Sequence, residues 1–112
     1  LLVLTSEDEN FGNAAVEAML SGVPVLVSDH VGICREILAD GAGVVVPIEV
    51  EAVAGALVKL LSDPEGLRVM GEAAVESARR RYDIDLVARQ MATAYEDILV
   101  GRRSPGLSWS DE

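Results

Sequence analysis

Residues 1–28 read LLVLTSEDENFGNAAVEAMLSGVPVLVS, and the fold is decided in this stretch. Leu1-Leu2-Val3-Leu4 is an apolar run without alternation, which reads as a short strand buried on both faces. Thr5–Asn10 is polar and acidic, and therefore a loop. Gly12-Asn13 opens a helix over Ala14–Leu20 that closes at Ser21-Gly22, glycine being the usual residue just past a helix end. Pro24-Val25-Leu26-Val27 is a second buried strand, with proline tolerable at its first position. A strand, a helix and a strand joined by short loops form a βαβ unit, so the two strands should lie parallel.

The pattern continues outward from this unit. Ser28–Val31 is a loop, Gly32 leads a short helix over Ile33–Leu38, and Val44-Val45-Val46 is a third strand closed by Pro47. The rest is helical. Glu49–Leu61 places Val50, Val53, Ala54, Leu57, Leu60 and Leu61 on one stripe. Asp63-Pro64 marks a break and a restart, and Glu65 to Arg81 carries Leu67, Met70, Ala74 and Ala78 on one face. Asp83–Val100 carries Val87, Met91, Ala94, Tyr95 and Ile98; from Gly101 the periodicity ends. The expected class is α/β: a partial Rossmann-like three-layer domain over residues 1–100, with three parallel strands, flanking helices and a flexible tail at 101–112. The chain opens on leucine without a polar lead-in, so it is expected to be cut from a longer protein. That would leave Leu1–Leu4 as an open edge able to pair two copies as a homodimer.

Composition narrows the function. Nineteen acids against nine bases give a net charge of -10, which argues against gripping a nucleic-acid backbone or an anionic membrane surface. Half of the residues are hydrophobic but only 4% are aromatic, so alanine, valine and leucine must build the core. One cysteine, Cys34, and one histidine, His30, exclude an internal disulfide and a Cys/His zinc cluster. Apolar runs reach about five residues, far short of the roughly 20 that a transmembrane helix needs. No secretory leader is legible, and a cytoplasmic location is expected, with a parent enzyme peripheral at the inner membrane face still compatible.

In open α/β sheets, ligands sit beyond the carboxyl ends of the strands, which here means the loops Thr5–Asn13 and Ser28–Gly32. Gly12 lets the backbone approach a ligand, and the helix starting at Asn13 presents free N–H groups to an anion such as a diphosphate. Glu17 is the sole charge in Ala14–Leu20. A helix of that composition is expected to be buried, so Glu17 should need a partner or a wet cleft. There it could accept both hydroxyls of a vicinal diol such as a ribose. Glu9, eight positions earlier, could meet the other end of the same ligand.

The whole stretch SEDENFGNAAVEAMLSGVPVLVSD, residues 6–29, resembles the donor-site signature of the family 4 (group 1) retaining glycosyltransferases. In that signature two glutamates are separated by seven residues, FG follows the first, and EAM with G-x-PV follows the second. The continuation VGICREILADGAGVVV, residues 31–46, is also similar. The resemblance implies the second half of the C-terminal, donor-binding domain of a two-Rossmann-domain (GT-B) enzyme. Such an enzyme transfers a hexosyl unit from a nucleoside diphosphate sugar to a glycan or lipid-linked acceptor. By the same resemblance Glu9 would be the catalytic-site acid touching the transferred sugar, and Glu17 would hold the ribose. Asn10, Phe11, Gly12 and Asn13 would line the sugar and diphosphate. Asn10 departs from the glycine many relatives carry.

No cofactor and no metal are implied, because helix dipoles and basic side chains stabilise the leaving diphosphate in such enzymes. Neither glutamate need be a covalent nucleophile, since retention is explained there by same-face attack within an ion pair. The family's diphosphate-gripping Arg and Lys lie upstream of residue 1, and the acceptor site lies in the N-terminal domain. The isolated chain is therefore expected to be inactive. Its expected partners are the nucleotide-sugar donor and that N-terminal domain, not nucleic acid.

Other residues carry plainer readings. Glu7 and Asp8 read as a solvated acidic loop, His30 as a loop histidine, and Cys34 as a small core residue. Glu36 reads as a residue that bonds loop backbone or a cap, and Arg79-Arg80-Arg81 as a helix C-terminal charge cluster. Trp109 falls in the tail. Alternatives to a transferase are a GT-B relative such as a sugar-nucleotide epimerase or a glycan phosphorylase, a non-catalytic receiver-like module holding magnesium with Asp8 and Asp29, and an interaction module using the strand edge. Lys59, the one lysine, lies mid-helix, which suits neither a phosphorylase nor a receiver.

Overall fold

The computed structural model describes residues 1–101. Its elements are β1 (Leu2–Leu4), α1 (Asn13–Leu20), β2 (Val25–Ser28), α2 (Cys34–Ala39), β3 (Gly43–Val46), α3 (Val50–Leu61), α4 (Pro64–Tyr82) and α5 (Ile84–Leu99). The three strands form one parallel sheet in the order β1-β2-β3, with Leu2 opposite Val25 and Val25 opposite Gly43. The expected fold class and each expected element are present. The chain divides into two compact units, Leu1–Arg81 and the part from Tyr82 onward. The second unit holds α5, whose N-cap Asp83 accepts hydrogen bonds from the N–H groups of Asp85 and Leu86 at 2.9 and 3.0 Å. The expected tail, including Trp109, lies outside the described residues.

β2 is the centre of the sheet, and all four of its residues are wholly buried. Apolar residues without alternation fit a strand covered on both faces. β1 has the same kind of sequence and a different fate: Val3 is 42% exposed, and Leu2 and Leu4 are half-buried. The expectation that Leu1–Leu4 is buried on both faces is therefore corrected. β1 has a strand neighbour on one side alone among the described residues, and an edge strand needs its cover supplied from elsewhere.

The two faces of the sheet are covered by different helices. Leu26 and Val46 pack with Leu60 of α3, and around them lie Val44, Val53, Ala56 and Leu57, with Leu67 and Met70 of α4. Alternation turns Val25, Val27 and Leu4 to the opposite face, where the start of α1 approaches the Leu4 side chain. The contacting stripe on α3 shares only three of the six residues proposed for it. Val50 and Leu61 are 87% and 62% exposed and Ala54 is exposed; Val53, Leu57 and Leu60 remain against the core, joined there by Ala52 and Ala56. A straight helix touches a sheet along one stripe, so apolar residues flanking that stripe stay in solvent.

α4 closes the opposite end of the sheet from the long loops. Its first turn is capped by Asp63, which accepts from the Gly66 N–H at 3.0 Å. Farther along, Gly71 sits against the Gly22 carbonyl, to which a Cβ at residue 71 would lie 2.4 Å away. Ser77 donates to Asp40 at 2.5 Å; Arg81 donates to the same carboxylate at 2.6 and 3.0 Å, and Arg80 lies 3.0 Å from it. Gly22 leads into β2 and Asp40 leads into β3, so α4 lies across the strand entries. The Arg81 hydrogen bonds above all, helped by Ser77 and Arg80, hold the Asp40 carboxyl well below the usual carboxylate range despite its burial. Two members of the arginine run are thus anchors onto Asp40 as well as charges at a helix C-terminus.

Candidate functional site

β1 and β2 both end at the same edge of the sheet and run into the loops at 5–12 and 29–33. The loops are bonded to each other at successive points. Ser28 donates its hydroxyl to the Ser6 carbonyl at 2.5 Å, and His30 Nδ1 donates to the Glu7 carbonyl at 2.9 Å. The Glu9 N–H reaches the His30 carbonyl at 3.4 Å, the Gly32 N–H reaches the Glu9 carbonyl at 2.8 Å, and Glu9 forms a parallel bridge with Val31. The ladder between β1 and β2 is thereby extended past the ends of the strands. Gly32 is a glycine by necessity, since a Cβ there would lie 1.8 Å from the Asn10 carbonyl oxygen.

The first loop then turns into α1 through Gly12, at φ 100° and ψ 55°. This left-handed conformation favours glycine, and a Cβ would meet Val31 Cγ1 at 3.0 Å. Gly12 is buried and acts as the N-cap; the Val16 N–H closes the first helical bond onto its carbonyl at 3.2 Å. No side chain caps this end and no acid lies in the first turn. The N–H groups of the first turn, which have no intrahelical acceptor, are left available at the positive end of the helix dipole.

The residues singled out in the sequence fall as follows. Glu9 is half-buried, its backbone engaged with the second loop on both sides. Asn10 and Asn13 are exposed, Phe11 is 43% exposed, and Gly12 is buried beneath them. Glu17, expected in a buried helix, is exposed instead. α1 buries one face, made by Ala15, Val16 and Met19, while Asn13, Ala14, Glu17 and Leu20 face outward. Eight residues give two turns, and two turns against a single sheet cover a single face. An apolar composition alone therefore overstated the burial, and Glu17 is in water with no need of an internal partner.

The scaffold role of the second loop was not legible in advance. A serine ending an otherwise apolar strand and a glycine four residues later were the available signals for Ser28 and Gly32. His30 is a loop histidine with a structural bond, its Nε2 3.5 Å from Asp29 Oδ1. Cys34 is half-buried and donates weakly to the Asp29 carbonyl at 3.6 Å. Among the described residues no group of three or more His, Cys, Asp or Glu could hold a metal ion. Nor is any described helix long and apolar enough to cross a membrane.

Parallel strands, loops interlocked past their carboxyl ends, and an uncapped helix N-terminus between them define the class: a Rossmann-like α/β domain. The family described as "Glycosyl transferases group 1" matches residues 1–77, and the chain belongs to it. It is 44% identical over 92 residues to a phosphatidyl-myo-inositol mannosyltransferase of Mycobacterium leprae, covering 80% of this chain and 24% of that protein. Among solved structures it is similar to sucrose-phosphate synthase of Thermosynechococcus elongatus, with a TM-score of 0.78 and 29% identity over 88% of this chain and 26% of the other. It is also similar to Anabaena HepE in complex with UDP, with a TM-score of 0.73 and 25% identity over 85% of this chain and 27% of the other. The chain spans about a quarter of the length of the curated relatives it matches.

Proposed function

We propose that the chain forms the donor half-site of a retaining glycosyltransferase that moves a hexosyl unit from a nucleoside diphosphate sugar to a glycan or lipid-linked acceptor. One observation carries the proposal. The uncapped N-terminus of α1, entered through buried Gly12 at φ 100°, stands one turn from an exposed carboxylate at Glu17. An anion at the helix end and a diol at the carboxylate are the two ends of a nucleotide. The mannosyltransferase name of one relative and the UDP of the HepE complex support the same ligand class.

In this reading Glu17 accepts the ribose hydroxyls, and Glu9 accepts hydroxyls of the transferred sugar. The backbone from Asn10 to Asn13 lies along the sugar and diphosphate. The anomeric carbon–oxygen bond to phosphate breaks while the acceptor oxygen bonds to the same face, and the acceptor proton passes to the departing phosphate oxygen. The positive end of α1 stabilises charge on that leaving group, so no metal is invoked. Basic groups for the diphosphate, and the acceptor site, come from an N-terminal domain, and the isolated chain binds donor weakly without turning it over. The edge of β1 is where further sheet of the enzyme, or a second copy of the chain, would pair. A cytoplasmic location, peripheral to the inner membrane face where the acceptor is lipid-linked, goes with this reading.

An amide-resolved NMR titration with UDP-glucose and GDP-mannose tests the proposal. Selective shifts at Phe11–Asn13 are expected at millimolar ligand, lost in Glu17→Ala, and the stronger response names the preferred nucleotide. Shifts absent from those residues with both nucleotides would overturn the half-site.

A further inference from the structure

His30 is the one base in the loops at 5–12 and 29–33, set among the acids Glu7, Asp8, Glu9 and Asp29. The second of these loops is tied to the sheet. Its Asp29 N–H donates to the Val46 carbonyl at 3.0 Å, and the Val31 and Cys34 N–H groups close turns onto the carbonyls of Ser28 and Val31 at 3.2 and 3.0 Å. The first loop leans on this support, and His30 touches it twice. The ring Nδ1 donates to the Glu7 carbonyl at 2.9 Å, and the His30 carbonyl accepts the Glu9 N–H at 3.4 Å. Together the two bonds bracket Asp8 and hold the backbone that carries Glu9. The backbone bond is longer than the usual N–H···O range and the ring bond has the ordinary length, so the ring supplies most of the grip.

A carbonyl oxygen only accepts, so the ring proton belongs on Nδ1. In the neutral ring Nε2 then carries a lone pair, and the Asp29 carboxylate 3.5 Å away offers it no hydrogen. The Glu7 carbonyl therefore fixes the tautomer. We infer that His30, held as the Nδ1–H tautomer, is a positioning residue for the donor site: its bond to the Glu7 carbonyl sets the backbone that carries Glu9 and leads into the Phe11–Asn13 amides. This inference deepens the proposed function and rests on it, because Glu9 and those amides are the groups assigned there to sugar and diphosphate. Ser28 also clamps the first loop with its side chain, at Ser6, but the His30 bond falls closer along the chain to Glu9.

Side-chain length supplies the test. Asparagine carries its amide nitrogen on Cγ, as histidine carries Nδ1, whereas the glutamine nitrogen lies one bond farther out, at the reach of Nε2. NMR of the chain with the ring neutral should show the proton on Nδ1 and Nε2 bare; the opposite tautomer, or a mixture of the two, would overturn the inference. At a fixed, non-saturating UDP concentration, the amide shift changes at Phe11–Asn13 report occupancy. They should fall by about 2- to 10-fold in His30→Ala and His30→Gln, the range for one ordinary hydrogen bond, and return to near the parent value in His30→Asn. Equal UDP responses in the parent chain and the variants, or no recovery in His30→Asn, would overturn the positioning role, whatever happens to thermal stability. Where His30→Ala folds poorly, the asparagine and glutamine variants decide. If UDP shifts nothing in the parent chain, the donor reading fails; water-exchange at the Glu9 N–H, expected to quicken in His30→Gln and not in His30→Asn, then decides the clamp by itself.

Discussion

The hydroxyl of Ser28 donates to the carbonyl of Ser6 at 2.5 Å, joining the ends of β1 and β2 across twenty-two residues of sequence. The bond is partly buried, and it sits where the ladder between the strands passes into the loops. Ser28→Ala should cost about 1 kcal/mol, the usual net worth of one such bond together with its stranded carbonyl. Urea denaturation measures the loss. Weaker nucleotide binding at constant secondary structure would show that the bond also holds the loop in register.

Gly32 tolerates no side chain where it stands. Gly32→Ala places a methyl 1.8 Å from the Asn10 oxygen, and backbone cannot yield there as a flexible side chain could. The expected outcome is a loss of about 2–3 kcal/mol, or displacement of the first loop if the strain is released instead. Thermal denaturation reports the first outcome, and amide shifts confined to 8–12 report the second.

Asp40 makes the stability of the chain depend on pH. Its carboxyl is held below the ordinary range in the folded state, chiefly by hydrogen bonds from Arg81, so the unfolded chain takes up a proton at higher pH than the folded one. The resulting stabilisation is complete above the unfolded value, about 4, and is lost progressively as pH falls below it. Chemical denaturation from pH 7 down to pH 3 should show this decline, and Asp40→Asn should flatten it. Asp40→Ala should cost about 2–3 kcal/mol at pH 7, because it removes an acceptor of charged hydrogen bonds and leaves Ser77 unpaired.

Glu17 should separate binding from folding. It is exposed, so Glu17→Ala should change stability by no more than about 0.5 kcal/mol. Nucleotide affinity should nevertheless fall at least about tenfold, as expected for losing charged hydrogen bonds worth roughly 1.5–3 kcal/mol. Parallel melting curves and titrations check both halves of the prediction. A large loss of stability would contradict the solvent position of this carboxylate.

The order and type of every element were written in the local sequence. The unbroken apolar run Val25-Leu26-Val27 specifies a strand covered on both faces, Gly12 and Gly22 punctuate α1, and Asp63-Pro64 starts α4, each through forces acting within a few residues. The acidic loop, Gly12 and the spacing of Glu9 and Glu17 were legible for the same reason. Burial was not, because it depends on what packs from far along the chain. The run Leu1–Leu4 resembles that of β2 yet leaves Val3 exposed at an edge, and Glu17 lies on the outer face of a helix whose composition suggested enclosure. The tertiary structure alone decided that Ser28, His30 and Gly32 lock one loop to the other, and that Asp40 meets Arg81 from forty-one residues away. Such contacts join segments whose closeness no local preference encodes; it follows from stacking the strands and folding α4 back across their entry ends.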